Sequence, residues 1–165
     1  MSPLSDDNEL QRHVETAFGP LLLYAKQWDE DAAEDVVQTA VWKFLREFGD
    51  KRNPLPENTA GWLFRVVRNE MNHRFRREKL KRRHNQQYAE SRESWFTPSL
   101  ETTVDAKTVT ENLRKLPMEN REVIVAKIWG ELSFEEIAEL LGTSRSTAHR
   151  RYVEGLAELK NMVKR

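Results

Sequence analysis

Two clusters of cations and one glutamate–histidine pair are the groups of this 165-residue chain whose spacing could do chemistry. The first cluster, Arg145, His149, Arg150 and Arg151, lies inside the stretch Ser133 to Leu156, SFEEIAELLGTSRSTAHRRYVEGL. Arginine can donate two parallel hydrogen bonds to guanine O6 and N7, so such a cluster at the start of a helix suits a base edge in the DNA major groove. Ser144, Ser146 and Thr147 beside it suit phosphate or sugar contacts, aided by a helix N-terminus. The second cluster is Arg68, Asn69, Asn72, Arg76 and Arg77. The pair Glu70-x-x-His73 has the spacing of di-iron ligands, but the sequence has no second such pair and arginines surround this one. No metal site or cofactor is expected. With no Gly-rich phosphate loop, no nucleophile–base arrangement and no cysteine, an enzyme is not expected either.

The elements that must position these groups are helical. Ser133-Phe-Glu-Glu136 is a capping box, Gly142 marks a turn, and Ser144 caps the following helix. Phe134, Ile137, Ala138 and Leu141 form the buried face of the first helix, and Ala148, Tyr152, Leu156, Leu159 and Val163 continue an inward stripe to the C-terminus. The small Ala138 at the crossing and the basic outer face of the second helix favour a DNA-binding helix-turn-helix over a purely structural hairpin. Upstream, a short helix reaches Leu116, stopped by Pro117, and a further helix runs from Glu119 to Trp129.

In the N-terminal half, the periodicity predicts a helix from Glu9 to Ala25 that Pro20 bends or interrupts. A second helix is expected from a capping box at Asp31-Ala-Ala-Glu34 through Val37, Val41, Phe44 and Phe48, stopping at Gly49. Pro54 and Pro56 keep residues 50–58 out of helix. A third helix starts near Thr59 and buries Trp62, Leu63, Val66, Val67 and Met71, with Trp62 read as core. The polar stretch from Asn85 to Thr103 lacks periodicity and reads as a linker, with Trp95 and Phe96 its strong apolar residues. The expected fold is all-α: two small helical domains joined by a flexible linker, at residues 1–84, 85–104 and 105–165.

Net charge is zero, yet the charges are segregated. Arg65 to Arg83 holds nine basic and two acidic residues, whereas Asp29 to Asp50 holds seven acidic residues against Lys43 and Arg46. One face for phosphates and another for a different partner would require this asymmetry. The absence of cysteine, of a secretory signal and of any apolar run long enough to span a bilayer leads to the expectation of a cytoplasmic protein without membrane insertion.

The C-terminal pattern Leu116-Pro117…Arg121-Glu122…Gly130-x-Leu132-Ser133-x-Glu135-Glu136-Ile137-Ala138-x-x-Leu141-Gly142-x-Ser144-x-x-Thr147 resembles that of the extracytoplasmic-function sigma factors of bacterial RNA polymerase. Ala33-Glu34-Asp35-Val36-Val37-Gln38 is similar to that family's polymerase-binding helix. Trp62-Leu63-Phe64-Arg65-Val66-Val67-Arg68-Asn69 with Arg76-Arg77 is similar to its promoter-melting helix. The resemblance implies that Glu34, Asp35 and Gln38 bind core RNA polymerase at the β′ clamp helices, with a further contact at the β flap. It implies that Lys51, Arg52, Asn53, Arg68, Asn69, Asn72, Arg76 and Arg77 hold the minus-10 non-template strand. Ser144, Arg145, Ser146, Thr147, His149, Arg150 and Arg151 would meet the minus-35 duplex. An anti-sigma factor is an implied partner, and the free protein is expected to be a monomer. Ser146, Ala148, His149 and Arg150 depart from residues common in the family, so the minus-35 sequence cannot be borrowed from other members. Two rival readings are a sigma mimic that sequesters an anti-sigma factor without touching DNA and a simple repressor, which would leave the acidic helix unexplained.

Overall fold

The computed structural model describes residues 3–84 and 104–164, with side-chain environments for residues 8–83 and 108–164. Those residues form seven helices and no strand: α1 (Pro3–Lys26), α2 (Ala33–Phe48), α3 (Thr59–His84), α4 (Val104–Leu113), α5 (Met118–Ile128), α6 (Phe134–Leu141) and α7 (Arg145–Val163). The fold is all-α, as the periodicity predicts. The stretch read as a linker, with Trp95 and Phe96, lies outside the described residues.

Helix α2 shows how the pattern becomes packing. Val36, Val37, Ala40, Phe44 and Phe48 recur at helical spacing and are all buried, while Trp42 and Leu45 on the other face stay exposed. Each large apolar side chain removed from water contributes about 1.5–3 kcal/mol, so this stripe fixes α2 against α1 and α3. Phe44 and Phe48 also meet Trp62 edge-on at 5.6 and 5.3 Å, which makes Trp62 part of the core, as expected.

Local details differ from the sequence expectations. Helix α1 passes through Pro20 without ending, because Leu21, Leu22 and Ala25 just beyond it are buried and hold the last turn in place. Proline removes one backbone donor, and the burial that follows offsets that loss. The Asp31 capping box does not form. The N-cap is Ala32 with no side-chain cap, and Asp29 Oδ1 instead accepts from the amides of Asp31 and Ala32 at 3.0 and 3.3 Å. Gly49 caps α2 in a right-handed conformation, and the left-handed turn falls on Lys51 (φ 62°). Pro117 starts α5 rather than stopping a helix at Leu116, since its fixed φ suits the residue ahead of a first turn. Val163, placed by periodicity on the inward stripe, is 75% exposed because α7 outruns its partners there.

The two halves pack together. Helix α1 touches α5 and α3 touches α6, and one continuous core runs from Leu21 and Phe64 to Leu113 and Ile124. Gly130 stands at this junction: a Cβ there would lie 2.8 Å from Phe64 Cζ. Gly155 performs the same service within the C-terminal half, where a Cβ would lie 2.5 Å from Ile124 Cδ1, so α7 approaches α5 closely only because that position lacks a side chain.

Candidate nucleic-acid interface

The helix-turn-helix is built by its caps. Ser133 Oγ accepts from the Glu136 amide at 3.1 Å while the Ser133 amide donates to Glu136 Oε2 at 2.9 Å, so the capping box read from the sequence forms in full. Gly142 adopts φ 65°, a left-handed conformation that glycine enters at little cost, and the Thr143 amide closes the turn on the Ala138 carbonyl at 3.0 Å. Ser144 Oγ accepts from the Thr147 amide at 3.1 Å and starts α7. Ile137 and Ala148 are wholly buried at the crossing of α6 and α7, which fixes the angle at which α7 projects.

On α7, Arg145, Ser146, His149 and Arg150 are exposed. Arg145 Nε lies 2.7 Å from Glu135 Oε1, so a carboxylate of α6 holds the first cation of the array. Glu135 is itself held below the usual carboxylate range, chiefly by backbone amide hydrogen bonding at the start of α6, with Arg145 adding to the effect. Arg150 has a looser contact, 3.9 Å to Glu154. His149 sets its ring edge-on to Phe134 at 5.1 Å, which orients the imidazole. The Ser144 hydroxyl donates to Thr147 Oγ1 at 2.9 Å, so its hydrogen-bonding capacity is turned inward. Arg151 is half-buried and its charge acts on Glu122 of α5, which separates it from the outward cations.

The N-terminal residues group differently. Asp35 and Gln38 are exposed on α2, with Gln38 Nε2 3.5 Å from the half-buried Glu34. In the loop, Arg52 pairs with Asp50 at 3.2 Å, and Asn53 donates to the backbone oxygen and carboxylate of Glu47, both at 3.1 Å. Asn69, Glu70 and His73 of α3 line a cavity of about 300 Å³ with Lys43, Arg46 and Trp62, and Lys43 forms an ion pair with Glu70. Glu70 and His73 therefore belong to a charge-paired groove, and no metal-binding cluster exists among the described residues. Asn72 is half-buried, while Arg76 and Arg77 are exposed. Arg68 is drawn away from this row, with Nε 3.2 Å from Glu122 Oε1 and its guanidinium 5.6 Å above Trp28.

Glu122 is the residue that sequence reasoning missed. Its side chain is 5% exposed, and besides Arg68 it accepts from Tyr24 Oη at 2.8 Å, across 98 residues of chain. Its appearance in the Arg121-Glu122 motif was a signal, but nothing in the sequence pairs it with α1 and α3. Burial pushes its carboxyl above the ordinary carboxylate range, against the lowering effects of Tyr24, Arg68 and Arg151. A folded-state value above the unfolded one adds stability that is full below the unfolded value and is lost as pH rises through the folded one. Glu122→Gln is therefore expected to remove a component of stability that falls with rising pH. Urea unfolding of both proteins at pH 4 and 7 checks this, and parallel losses in the two would refute it.

Residues 108–159 match the family model for sigma-70, region 4. The RNA polymerase sigma factor YlaC of Bacillus subtilis (strain 168) is 39% identical over 66 residues, which are 39% of this chain and 38% of that protein. The aligned part thus spans well under half of that relative. Across the whole chain, the fold is similar to a co-crystal structure of the sigma factor RpoE in complex with the anti-sigma factor NepR from Bartonella quintana. The TM-score is 0.72 over 97% of each chain at 23% identity. CnrH in complex with the cytosolic domain of CnrY gives a TM-score of 0.58 over 96% of this chain and 89% of that one, at 24% identity. Residues 108–159 are thus similar to a sigma-70 region 4 domain, and the chain as a whole shares the fold of those two solved structures. No helix among the described residues is long and apolar enough to cross a membrane.

Proposed function

We propose that this protein directs core RNA polymerase to promoters and starts transcription, working in the cytoplasm as a monomer until it meets polymerase. Residues 1–84 bind polymerase and the minus-10 element, residues 85–104 link, and residues 105–165 bind the minus-35 element. Glu34, Asp35 and Gln38 dock on the β′ clamp helices, and the C-terminal domain contacts the β flap. Arg145, Ser146, His149 and Arg150 enter the minus-35 major groove, with Ser144, Thr147 and Arg151 supporting that helix. Lys51, Arg52, Asn53, Arg68, Asn69, Asn72, Arg76 and Arg77 hold the minus-10 non-template strand, where phosphates supply affinity and an unstacked base offers its edge. Polymerase performs the chemistry. An anti-sigma factor is the proposed regulator.

The observation that carries this reading is one chain with a capped helix-turn-helix similar to sigma-70 region 4, an exposed acidic residue, Asp35, on α2 and a basic α3. The test is in vitro transcription with purified core polymerase on a promoter library. Enrichment of a shared two-element promoter is the expected result. Binding to an anti-sigma factor with no promoter opened would instead establish the mimic.

A further inference from the structure

Helix α7 carries an outward apolar side chain that none of the proposed contacts uses. Ser146, His149, Arg150 and Val153 follow one another at helical spacing, so they form one stripe along the helix, and all four are exposed. The opposite side is the buried seam of Ala148 and Gly155, where α7 meets Ile124 of α5. Val153 is 50% exposed and belongs neither to the core nor to the apolar side chains packed against it. The residues just before it are engaged within the fold: Tyr152 meets the Phe134 ring edge-on at 5.4 Å, and the charge of Arg151 acts on Glu122. Val109, Ile128 and Val163, the other exposed large apolar residues described in the C-terminal half, lie off this stripe.

We propose that Val153 is a specificity-determining residue that reads the methyl group of a thymine in the minus-35 major groove. This inference rests on the reading of α7 as the minus-35 helix.

Thymine carries the one methyl group that the four bases show in the major groove, and an apolar side chain is its natural partner. A β-branched residue is a poorer helix former than alanine, so the free protein gains no helix stability from an exposed valine there. Arg150 and Val153 are about 4.5 Å apart along the helix axis, against about 3.4 Å between stacked base pairs, which puts them over the same or adjoining base pairs. The Arg150 guanidinium leans the same way, with Nε 3.9 Å from Glu154, the residue after Val153. The Glu154 carboxylate suits a turn that lies over base edges, because phosphates would repel it. A guanine bound by Arg150 beside a thymine under Val153 is the pair of bases that this stripe fits.

The test uses the full chain assembled with core polymerase, on promoters recovered from the library. Each thymine of the minus-35 element, on either strand, is replaced in turn by deoxyuridine, which removes the methyl group and leaves base pairing unchanged. Fluorescence anisotropy measures binding of each duplex by the wild type, Val153→Ala and Val153→Ser, while circular dichroism reports helix content. For the wild type, uracil at one position should weaken binding about fourfold, the change expected for one buried methyl group. Both variants should bind the thymine and uracil duplexes equally at that position. Uracil tolerated by the wild type at every position, a minus-35 element without thymine, or an undiminished uracil effect in the variants overturns the proposal. Weaker binding of the variants to core polymerase, with no uracil effect in the wild type, makes Val153 a protein contact and also overturns it. Promoter binding that depends on no minus-35 base pair overturns instead the reading of α7, and the role of Val153 falls with it. If one variant loses helix content, the other decides the matter.

Discussion

Arg150→Ala is expected to weaken binding to a minus-35 duplex by about 1–3 kcal/mol, roughly 5- to 150-fold, and to leave binding to core polymerase intact. Arg150 is exposed on the second turn of α7, and its contact with Glu154 is long, so the free protein gives up little when the guanidinium moves to a base edge. Surface pairs of that kind are worth less than about 1 kcal/mol. Arg145 offers a contrast, because Glu135 holds it at 2.7 Å and DNA must compete with that carboxylate. Gel-shift titration against duplexes varied one base pair at a time measures the effect. A base contact should relax preference at one position. An equal loss across all sequences, with a salt dependence reduced by about one phosphate, would make Arg150 a backbone contact.

Asp35→Arg is expected to do the reverse: to abolish most core-polymerase binding and leave duplex binding intact. Asp35 is exposed in the first turn of α2, between buried Val36 and Val37 and the solvent, so replacing it disturbs no packing. A reversed charge at a complementary interface brings like charges together at a cost of several kcal/mol, and it also slows the encounter. The cation also opposes the positive end of the helix dipole, though only by about 0.3–1 kcal/mol at an exposed site. The loss in polymerase binding should therefore be far larger than any change in melting temperature. Co-purification or titration with core polymerase measures it. If Asp35→Arg and Arg150→Ala lose the same activity, the division of labour between the two halves is wrong.

Both expectations depend on which surfaces are free, and the sequence alone supplied only part of that. Helix positions in the C-terminal half were legible because the capping box, the Gly142 turn and the Ser144 cap are local interactions among residues three or four apart. The apolar stripe of α2 was legible for the same reason, since helical periodicity needs no distant partner. The Asp31 capping box was misread because Asp29, two residues earlier, accepts from the Asp31 amide that the box would give to Glu34, and geometry alone chooses between those two carboxylates. Val163 was misplaced because periodicity continues past the point where α5 and α6 provide anything to pack against.

What the sequence determined by itself was the set of helices, their buried faces and the segregation of charge, all properties of neighbours along the chain. Tertiary structure decided which charges remain available. Arg68 and Arg76 look alike in sequence, eight residues apart on one helix, yet Arg68 is bound to Glu122 and Arg76 is exposed. That difference arises because α5 presents a buried carboxylate to Tyr24 and Arg68, and Gly130 lets the two halves approach closely enough for it to reach. Contacts between residues 54 and 98 positions apart leave no periodic trace in a chain, so only the folded structure could reveal that Arg68 is already engaged by Glu122.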